Sequence, residues 1–146
     1  MGSTLYADDF VCAFQYKQDA ELFYQQLNER LGKFGLEVSP EKTRILLFSR
    51  SMLKRSETFD FLGFEFRRAI SRKFKSIVRR RTSRKKLRAS IAAFTEWIKT
   101  NRNKKISKLM TTLRGKYRGY WNYYGVIGNY GSLKTFYYRS RRILFS

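Results

Sequence analysis

The distribution of charge along the chain is the feature that most restricts how this sequence can fold. Residues 61–146 hold 24 Lys and Arg but only 2 Asp and Glu, whereas residues 1–60 hold 8 and 9. Because charged side chains are rarely buried without a partner, the second part has to keep most of its cations on the surface. The 42% of hydrophobic and 17% of aromatic residues still supply a core, so we expect a folded protein.

A polyanion is the expected partner of the basic part. Lys and Arg that neutralise phosphates release counterions, which favours binding to nucleic acid. An anionic membrane surface is the alternative, because basic amphipathic helices also lie on lipid. Aromatic residues are interleaved with the basic ones, an arrangement that suits stacking on bases, so the sequence favours nucleic acid and no membrane partner.

Histidine is absent, and Cys12 is the single cysteine. These two facts exclude an internal disulfide, a zinc site of Cys and His, and a catalytic triad that needs imidazole. Any chemistry has to use carboxylates, Lys, Tyr or hydroxyl groups. The sequence carries neither a signal peptide nor an apolar run long enough for a membrane span, so we expect an intracellular, cytoplasmic protein.

The sequence predicts an α+β fold in which strands precede helices. The first part is expected to contain a strand on each side of residues 7–9, a helix over residues 20–31 that Asp19 caps and Gly35 ends, a strand over residues 44–48 and a hairpin over residues 59–66. Beyond a basic connector, the apolar period becomes helical, with one helix from a cap near Thr82 or Ser83, a second over residues 106–113 and a third over residues 132–144. The predicted domains are residues 1–66, a connector of residues 67–81, and a helical bundle of residues 82–146.

The adjacent carboxylates of Asp8 and Asp9, at the tip of the first hairpin, are the sharpest chemical signal. Like charges held side by side repel unless they share a cation, and hard oxygen ligands suit Mg²⁺. Paired magnesium ions can activate an attacking oxygen and stabilise a leaving pyrophosphate. Taken alone, the two residues are also compatible with an Asp-rich surface turn.

Three motifs in order resemble those of reverse transcriptases. Tyr6-Ala7-Asp8-Asp9 resembles the Tyr-X-Asp-Asp catalytic motif, and its Ala followed by Phe10-Val11 is similar to the group II intron reverse transcriptase/maturase lineage. Residues 27–36 with Pro40-Glu41-Lys42-Thr43-Arg44 are similar to the next palm motif, and Phe59-Asp60-Phe61-Leu62-Gly63-Phe64 is similar to the primer grip. Retron, diversity-generating and CRISPR-associated reverse transcriptases share much of this palm.

The resemblance implies part of the palm and the thumb of a right-hand RNA-directed DNA polymerase. It implies Mg²⁺ as cofactor, held by Asp8 and Asp9 as catalytic residues, and an RNA template or intron RNA, a DNA primer and dNTPs as partners. By the same resemblance Lys42 protonates the leaving pyrophosphate; the alternative is an exposed loop Lys paired with Glu41. The primer grip would comprise Phe61, Leu62, Gly63 and Phe64, for which an ordinary hydrophobic hairpin is the alternative.

A basic thumb with an aromatic stretch like residues 113–124 follows the primer grip in that family. The twelve Lys and Arg of residues 67–88 have no acidic neighbour in sequence, which favours a role in binding. For the aromatic stretch we expect a division between core packing and RNA contact, because so many hydroxyl groups cannot all be satisfied inside a small core. The predicted nucleic-acid-binding residues are Arg67, Arg68, Arg72, Lys73, Arg79, Arg80, Arg81, Arg84, Lys85, Arg114, Lys116, Arg118, Tyr120, Trp121 and Tyr123.

In the family, the fingers and a further metal-binding Asp precede the Tyr-X-Asp-Asp motif. We therefore expect this chain by itself to be inactive as a polymerase, and we expect an N-terminal fingers and palm portion, or self-association, to cover the open edge of the sheet. The alternative function is a non-catalytic, maturase-like RNA-binding fragment or subunit.

Overall fold

A computed structural model describes residues 2–6, 9–48, 57–71, 73 and 75–146. The chain forms two compact units, Met1–Glu57 and Thr58–Ser146. The first contains a two-stranded hairpin and a helix, and the second contains a three-stranded sheet and three helices. The predicted α+β class is confirmed.

The first unit begins with an antiparallel hairpin of β1 (Gly2–Tyr6) and β2 (Asp9–Ala13). Gly2 pairs with Ala13 at one end and Tyr6 with Asp9 at the other, which confirms the predicted hairpin. Helix α1 (Lys17–Gly32) follows. The ring of Phe14, directly after β2, lies 5.2 Å from the ring of Phe23 in α1, so an aromatic contact joins the hairpin to the helix.

Helix α1 confirms the predicted apolar face and corrects its N-terminus. The residues of the predicted stripe are all half-buried, and they are Ala20, Phe23, Tyr24, Leu27 and Leu31. The N-cap is Tyr16 rather than Asp19, which lies in the first turn, where its charge favours the helix dipole. Gly35 takes a φ of +67°, and the N–H of Leu36 bonds to the carbonyl of Leu31 at 3.0 Å, so a left-handed glycine closes this helix as predicted.

The strand predicted over residues 44–48 is wrong: these residues belong to no strand in the described part of the chain. Ile45 and Leu47 are exposed, and Leu46 and Phe48 are half-buried. A run of apolar residues is not sufficient for a strand, because a strand also needs a neighbour to pair with its backbone N–H and C=O groups.

The second unit contains an antiparallel sheet in the order β3 (Phe59–Phe61), β4 (Phe64–Ile70), β5 (Ser76–Thr82). Phe59 pairs with Phe66, and their rings stack at 5.1 Å. Phe64 pairs with Thr82 and Ile70 with Ser76, so β4 is the central strand. This confirms the predicted hairpin at residues 59–66 and adds β5, which the sequence analysis did not predict.

The boundary between the two units lies between Glu57 and Thr58, before the connector predicted over residues 67–81. Strand β4 runs without a break through Phe66 to Ile70, and β5 pairs along it, so residues 67–81 mostly form strands rather than a plain connector. Because β3 pairs with β4, residues 58–66 group with the helices that follow. The assignment of the chain to palm and thumb stays a prediction.

Three helices complete the second unit: α2 (Arg84–Asn101), α3 (Ile106–Tyr124) and α4 (Tyr130–Leu144). All three were predicted, and Ser83 caps α2, its side chain accepting from the N–H of Lys86. Their core consists of Phe94, Ile98, Leu113 and Phe136. None of the helices in the described residues is both long and apolar enough to cross a membrane.

Candidate catalytic hairpin and nucleic-acid interface

The first hairpin pairs the backbone of Tyr6 with that of Asp9 across its two strands. Tyr6, the last residue of β1, pairs with Asp9, the first residue of β2, so only two residues connect the strands. Of these, Asp8 lies outside the described residues, as does Ala7. Asp9 is exposed at the strand end. The described backbone thus places Asp9 at the hairpin tip, as the motif requires.

The donor chemistry of Asp9 is that of a magnesium ligand, because its carboxylate oxygen is a hard donor that solvent can reach. Within the described residues, no group of three or more His, Cys, Asp and Glu side chains forms a metal cluster. Asp9 is thus one hard oxygen donor among the described residues, and a magnesium site shared with Asp8 stays a prediction.

Lys42 lies in the turn after Pro40. Its N–H and that of Thr43 both bond to the carbonyl of Ser39, at 3.2 and 3.1 Å. The Lys42 side chain is exposed and makes no ion pair with Glu41 in the described residues, so the predicted alternative pairing does not form. A free ammonium group on an ordered turn is available to a phosphate, and its role in pyrophosphate release stays a prediction.

The predicted primer grip is a two-residue hairpin turn. Leu62 and Gly63 have φ of +50° and +78°, the left-handed pair that a tight turn with the right-handed twist of its strands requires. The hydroxyl of Tyr123 donates to the carbonyl of Leu62 at 2.9 Å, and the N–H of Ser83 donates to the carbonyl of Gly63 at 2.9 Å. Both carbonyls of the turn are thereby bonded to residues near the ends of helices.

Gly63 lies close to the helices of the second unit, in addition to its left-handed backbone conformation. A Cβ at Gly63 would lie 3.2 Å from the hydroxyl oxygen of Tyr124, and the ring of Phe64 meets that of Tyr124 edge-on at 5.4 Å. The hydrophobic-hairpin interpretation is therefore supported for the Phe64 side of the motif. Contact of the turn with a primer stays a prediction.

The aromatic stretch of α3 divides between core and surface. The ring of Tyr120 stacks on Phe136 at 3.8 Å, and Trp121 packs edge-on against Tyr117 at 5.3 Å, so these rings are engaged by protein neighbours. The structure places the half-buried rings of Tyr120 and Trp121 against the core cluster, and their contact with nucleic acid stays a prediction. Tyr123 is 54% exposed, although its ring lies parallel to that of Phe64 at 6.0 Å.

The predicted nucleic-acid-binding Lys and Arg residues differ in whether their side chains already contact other protein groups. Arg81 is bound by Glu65, its Nη2 and Nε lying 2.7 and 2.9 Å from the same carboxylate oxygen, and Arg68 donates to the hydroxyl of Ser76. Lys116 lies over the ring of Trp97, 5.0 Å from its centroid. The remaining predicted cations with described side chains are exposed: Arg67, Lys73, Arg79, Arg80, Arg84, Lys85, Arg114 and Arg118. Arg72 lies outside the described residues.

The sequence analysis missed Asn129, which fastens the loop between α3 and α4 to the end of β5. Its Oδ1 accepts from the N–H of Thr82 at 2.7 Å, and its Nδ2 donates to the hydroxyl of Thr82 and the carbonyl of Tyr124, each at 2.8 Å. Asn129 is 1% exposed. An Asn between two helices reads as a loop residue, and no local pattern marks a partner 47 positions away.

Burial raises the pKa of three tyrosines of α3. Desolvation raises the pKa of Tyr120 to about 12, Tyr124 adds to the rise, and the hydroxyls of Ser90 and Thr82 oppose it. Burial also raises the pKa of Tyr117 and of Tyr124. The folded state therefore holds these phenolic protons more tightly than the unfolded chain, in which tyrosine titrates near pH ~10.

We expect the free energy of unfolding to fall in alkaline solution. The contribution of Tyr120 is fully present below pH ~10 and is lost as the pH rises towards about 12, because the unfolded chain releases the proton first; the slope from this one group is at most about 1.4 kcal/mol per pH unit. Denaturant unfolding measured from about pH 9 to about pH 11.5 would detect this loss of stability. A Tyr120→Phe variant should lose part of this slope, and identical slopes in both proteins would contradict the assignment.

Comparison with known families gives one match. The family model described as reverse transcriptase (RNA-dependent DNA polymerase) matches residues 3–66. No curated protein matches the chain, and no solved structure matches it. The family match runs from β1 into β4, so it covers the Asp9 hairpin, α1 and the turn at Leu62 and Gly63, and stops before the three helices of the second unit.

Residues 3–66 are thus similar to a reverse transcriptase domain, which confirms that part of the predicted resemblance. Proteins of this family generally use divalent metal ions and act on a nucleic-acid template and primer.

Proposed function

We propose that this chain provides part of the palm and the thumb of an RNA-directed DNA polymerase of the group II intron reverse transcriptase/maturase type. The observation that carries the proposal is the family match over residues 3–66, in which the Tyr6 to Asp9 motif coincides with a tight antiparallel hairpin. An ordinary Asp-rich surface turn is not expected within a family match of this length. Near the end of the same match, Leu62 and Gly63 form a second tight turn.

In this proposal Asp8 and Asp9 hold Mg²⁺, which supplies Lewis-acid stabilisation for attack by a primer hydroxyl on a nucleotide phosphate. The pairing with Tyr6 holds the backbone of Asp9 in β2, so its carboxylate is carried by a strand end. Lys42, exposed on its turn, would place an ammonium group where pyrophosphate carries negative charge.

The second unit would hold the nucleic acid. Between residues 61 and 146 the charge is +22, and the described cations of that part are mostly exposed. Because Arg81 is already neutralised by Glu65, we expect the run of Arg79, Arg80 and Arg81 to supply at most two phosphate contacts. Substitution of all three should therefore lower the salt slope of RNA binding by one to two units, about 0.9 for each phosphate lost.

An open sheet edge supports a protein partner. Among the described strands, β1 pairs only with β2, so the outer edge of each is free to pair with another strand. We propose that a fingers and palm portion carrying a further Asp, or a second copy of the chain, covers such an edge.

The test supplies the chain with that portion. The chain is joined to the fingers and first palm strands of a group II intron reverse transcriptase, and extension of a DNA primer on an RNA template is measured with dNTPs and Mg²⁺. We expect extension by the joined protein and none above background by the 146-residue chain, because two carboxylates alone leave the metal pair under-liganded. Asp9→Asn in the joined protein should lower extension at least about 10³-fold with template binding nearly unchanged.

Asp19→Asn is the matched control, because it makes the same chemical change on an exposed residue of α1 and should leave extension intact. Extension by Asp9→Asn at the rate of the unsubstituted protein would show that Asp9 is only a turn residue. The second candidate is a non-catalytic, maturase-like RNA-binding protein, which the concentration of exposed cations in the second unit favours. Salt-dependent RNA binding without extension by the joined protein would establish that candidate instead.

A further inference from the structure

The register of β4 and β5 places two arginines directly opposite each other. Arg67 of β4 pairs with Arg79 of β5, so both side chains project from the same face of the sheet. Side chains opposite each other on antiparallel strands have Cβ atoms about 4.5–5.5 Å apart, and like charges in that position are destabilising. An isolated protein gains nothing from such a pair.

The neighbouring pair on the same face, Glu65 and Arg81, has opposite charges. Glu65 lies opposite Arg81, two residues along each strand, and the two side chains form a half-buried ion pair at 2.7 Å. On the other side, Ala69 lies opposite Ile77 and offers no charge. Arg67 and Arg79 are exposed, and neither forms an ion pair or a side-chain hydrogen bond with the residues that the structure describes.

We propose that Arg67 and Arg79 form an arginine pair that clamps one phosphate of an RNA backbone. Each guanidinium presents a planar fork of donors that matches two oxygens of a phosphate, and an anion between the forks converts their repulsion into attraction. A phosphodiester is favoured as the anion, since the second unit concentrates the positive charge of the chain. This inference rests on the proposed nucleic-acid-binding function and specifies how it is performed.

Acidic residues at one end of this face restrict where an anion can bind. Asp60 lies opposite Glu65, so both carboxylates are at the β3 end of the face, and Glu65 is engaged by Arg81. A phosphate is repelled from that end and attracted towards Arg67 and Arg79. The pair is therefore a local anion site rather than an evenly basic surface.

The test is a double-mutant cycle on the full chain. Binding to a duplex RNA is measured across salt concentrations for the wild type, Arg67→Gln, Arg79→Gln and the double variant. If both arginines hold one phosphate, the first substitution lowers the affinity about tenfold near 0.1 M salt, and the second lowers it much less. The double variant should lower the salt slope by about one unit, the change expected for one lost phosphate contact.

The matched control combines Arg67→Gln with Arg80→Gln. Arg80→Gln removes the same charge as Arg79→Gln, from the neighbouring residue of β5. Arg80 pairs with Phe66 and projects from the opposite face, so these losses should be additive. A slope change of two units for Arg67 and Arg79, or none, would overturn the clamp, as would equal additivity in both cycles. Circular dichroism checks that each variant is folded.

Four outcomes separate the clamp from its alternatives. A wild type with no salt-dependent RNA binding would overturn the proposed function itself, whereas salt-dependent binding with an unchanged pair variant would overturn the clamp alone. Phosphatidylserine vesicles that reproduce the non-additive loss, with duplex RNA failing to do so, would assign the pair to a lipid headgroup and overturn the RNA assignment. Inorganic phosphate could also protect the wild type, but not the double variant, against thermal unfolding. If the double variant then bound RNA as the wild type does, the arginine pair would be assigned to free phosphate and the proposal overturned.

Discussion

Replacing Phe136 by Ala is expected to lower the free energy of unfolding of the second unit by about 3–5 kcal/mol. Phe136 is 5% exposed, stacks on Tyr120 at 3.8 Å, and lies 6.1 Å from the ring of Phe94 and 6.3 Å from that of Trp121. The substitution removes a ring around which the other rings are arranged, and the cavity cannot close without moving α4. Such a loss is a large part of the stability of an ordinary domain, about 5–15 kcal/mol.

The measurement uses tryptophan fluorescence during denaturant unfolding. Both tryptophans, Trp97 and Trp121, lie beside this core, so the signal reports on the second unit and not on the first. Phe145→Ala is the matched control, because Phe145 follows α4 and is 76% exposed. We expect it to change the free energy of unfolding by less than about 0.5 kcal/mol. Similar losses for the two substitutions would show that Phe136 is not central to the packing.

The second large effect is expected at Asn129, where Asn129→Ala should cost about 3 kcal/mol. The variant loses three side-chain hydrogen bonds and leaves the buried N–H of Thr82 without its partner, whereas the carbonyl of Tyr124 keeps the N–H of Val126. A typical hydrogen bond contributes about 1 kcal/mol, and a buried group left unsatisfied costs about 1–3 kcal/mol. The same denaturant titration measures the change.

Two further variants test whether these bonds are the cause. Asn103→Ala removes an exposed Asn from the turn before α3 and should have almost no effect. Thr82→Val removes only the hydroxyl that accepts from Asn129, so we expect a loss of about 1 kcal/mol that is not additive with Asn129→Ala. Full additivity would mean that the loss at Asn129 does not come from its bond to the Thr82 hydroxyl.

The helices could be predicted from the sequence because their information is local. Apolar residues at helical spacing mark the half-buried face of α1 and the buried face of α2, and Ser83 and Gly35 supply end signals that need no knowledge of the rest of the chain. The tight turn at Leu62 and Gly63 was likewise marked by its glycine.

Strand pairing and buried polar contacts could not be predicted in the same way. Strand β5 contains Arg79, Arg80 and Arg81, a run that suggests a solvated surface until Glu65 is found opposite Arg81. Residues 44–48 have the composition of a strand and no strand beside them in the described chain. The aromatic residues of α3 were expected to divide between core and surface, but which ring takes which role depends on the position of Phe136 in α4.

The turn at Leu62 and Gly63 has a consequence for recombining domains among related proteins. Its two carbonyls are bonded to Tyr123 and Ser83, and its glycine faces Tyr124, so the turn and the helices must match each other in shape. A chimera whose crossover falls in residues 67–81 would join a turn from one parent to helices from another and break that match. A crossover before Thr58 keeps the turn, the sheet and the helices from a single parent. The unit that can be exchanged therefore begins at Thr58 and includes the turn at Leu62 and Gly63.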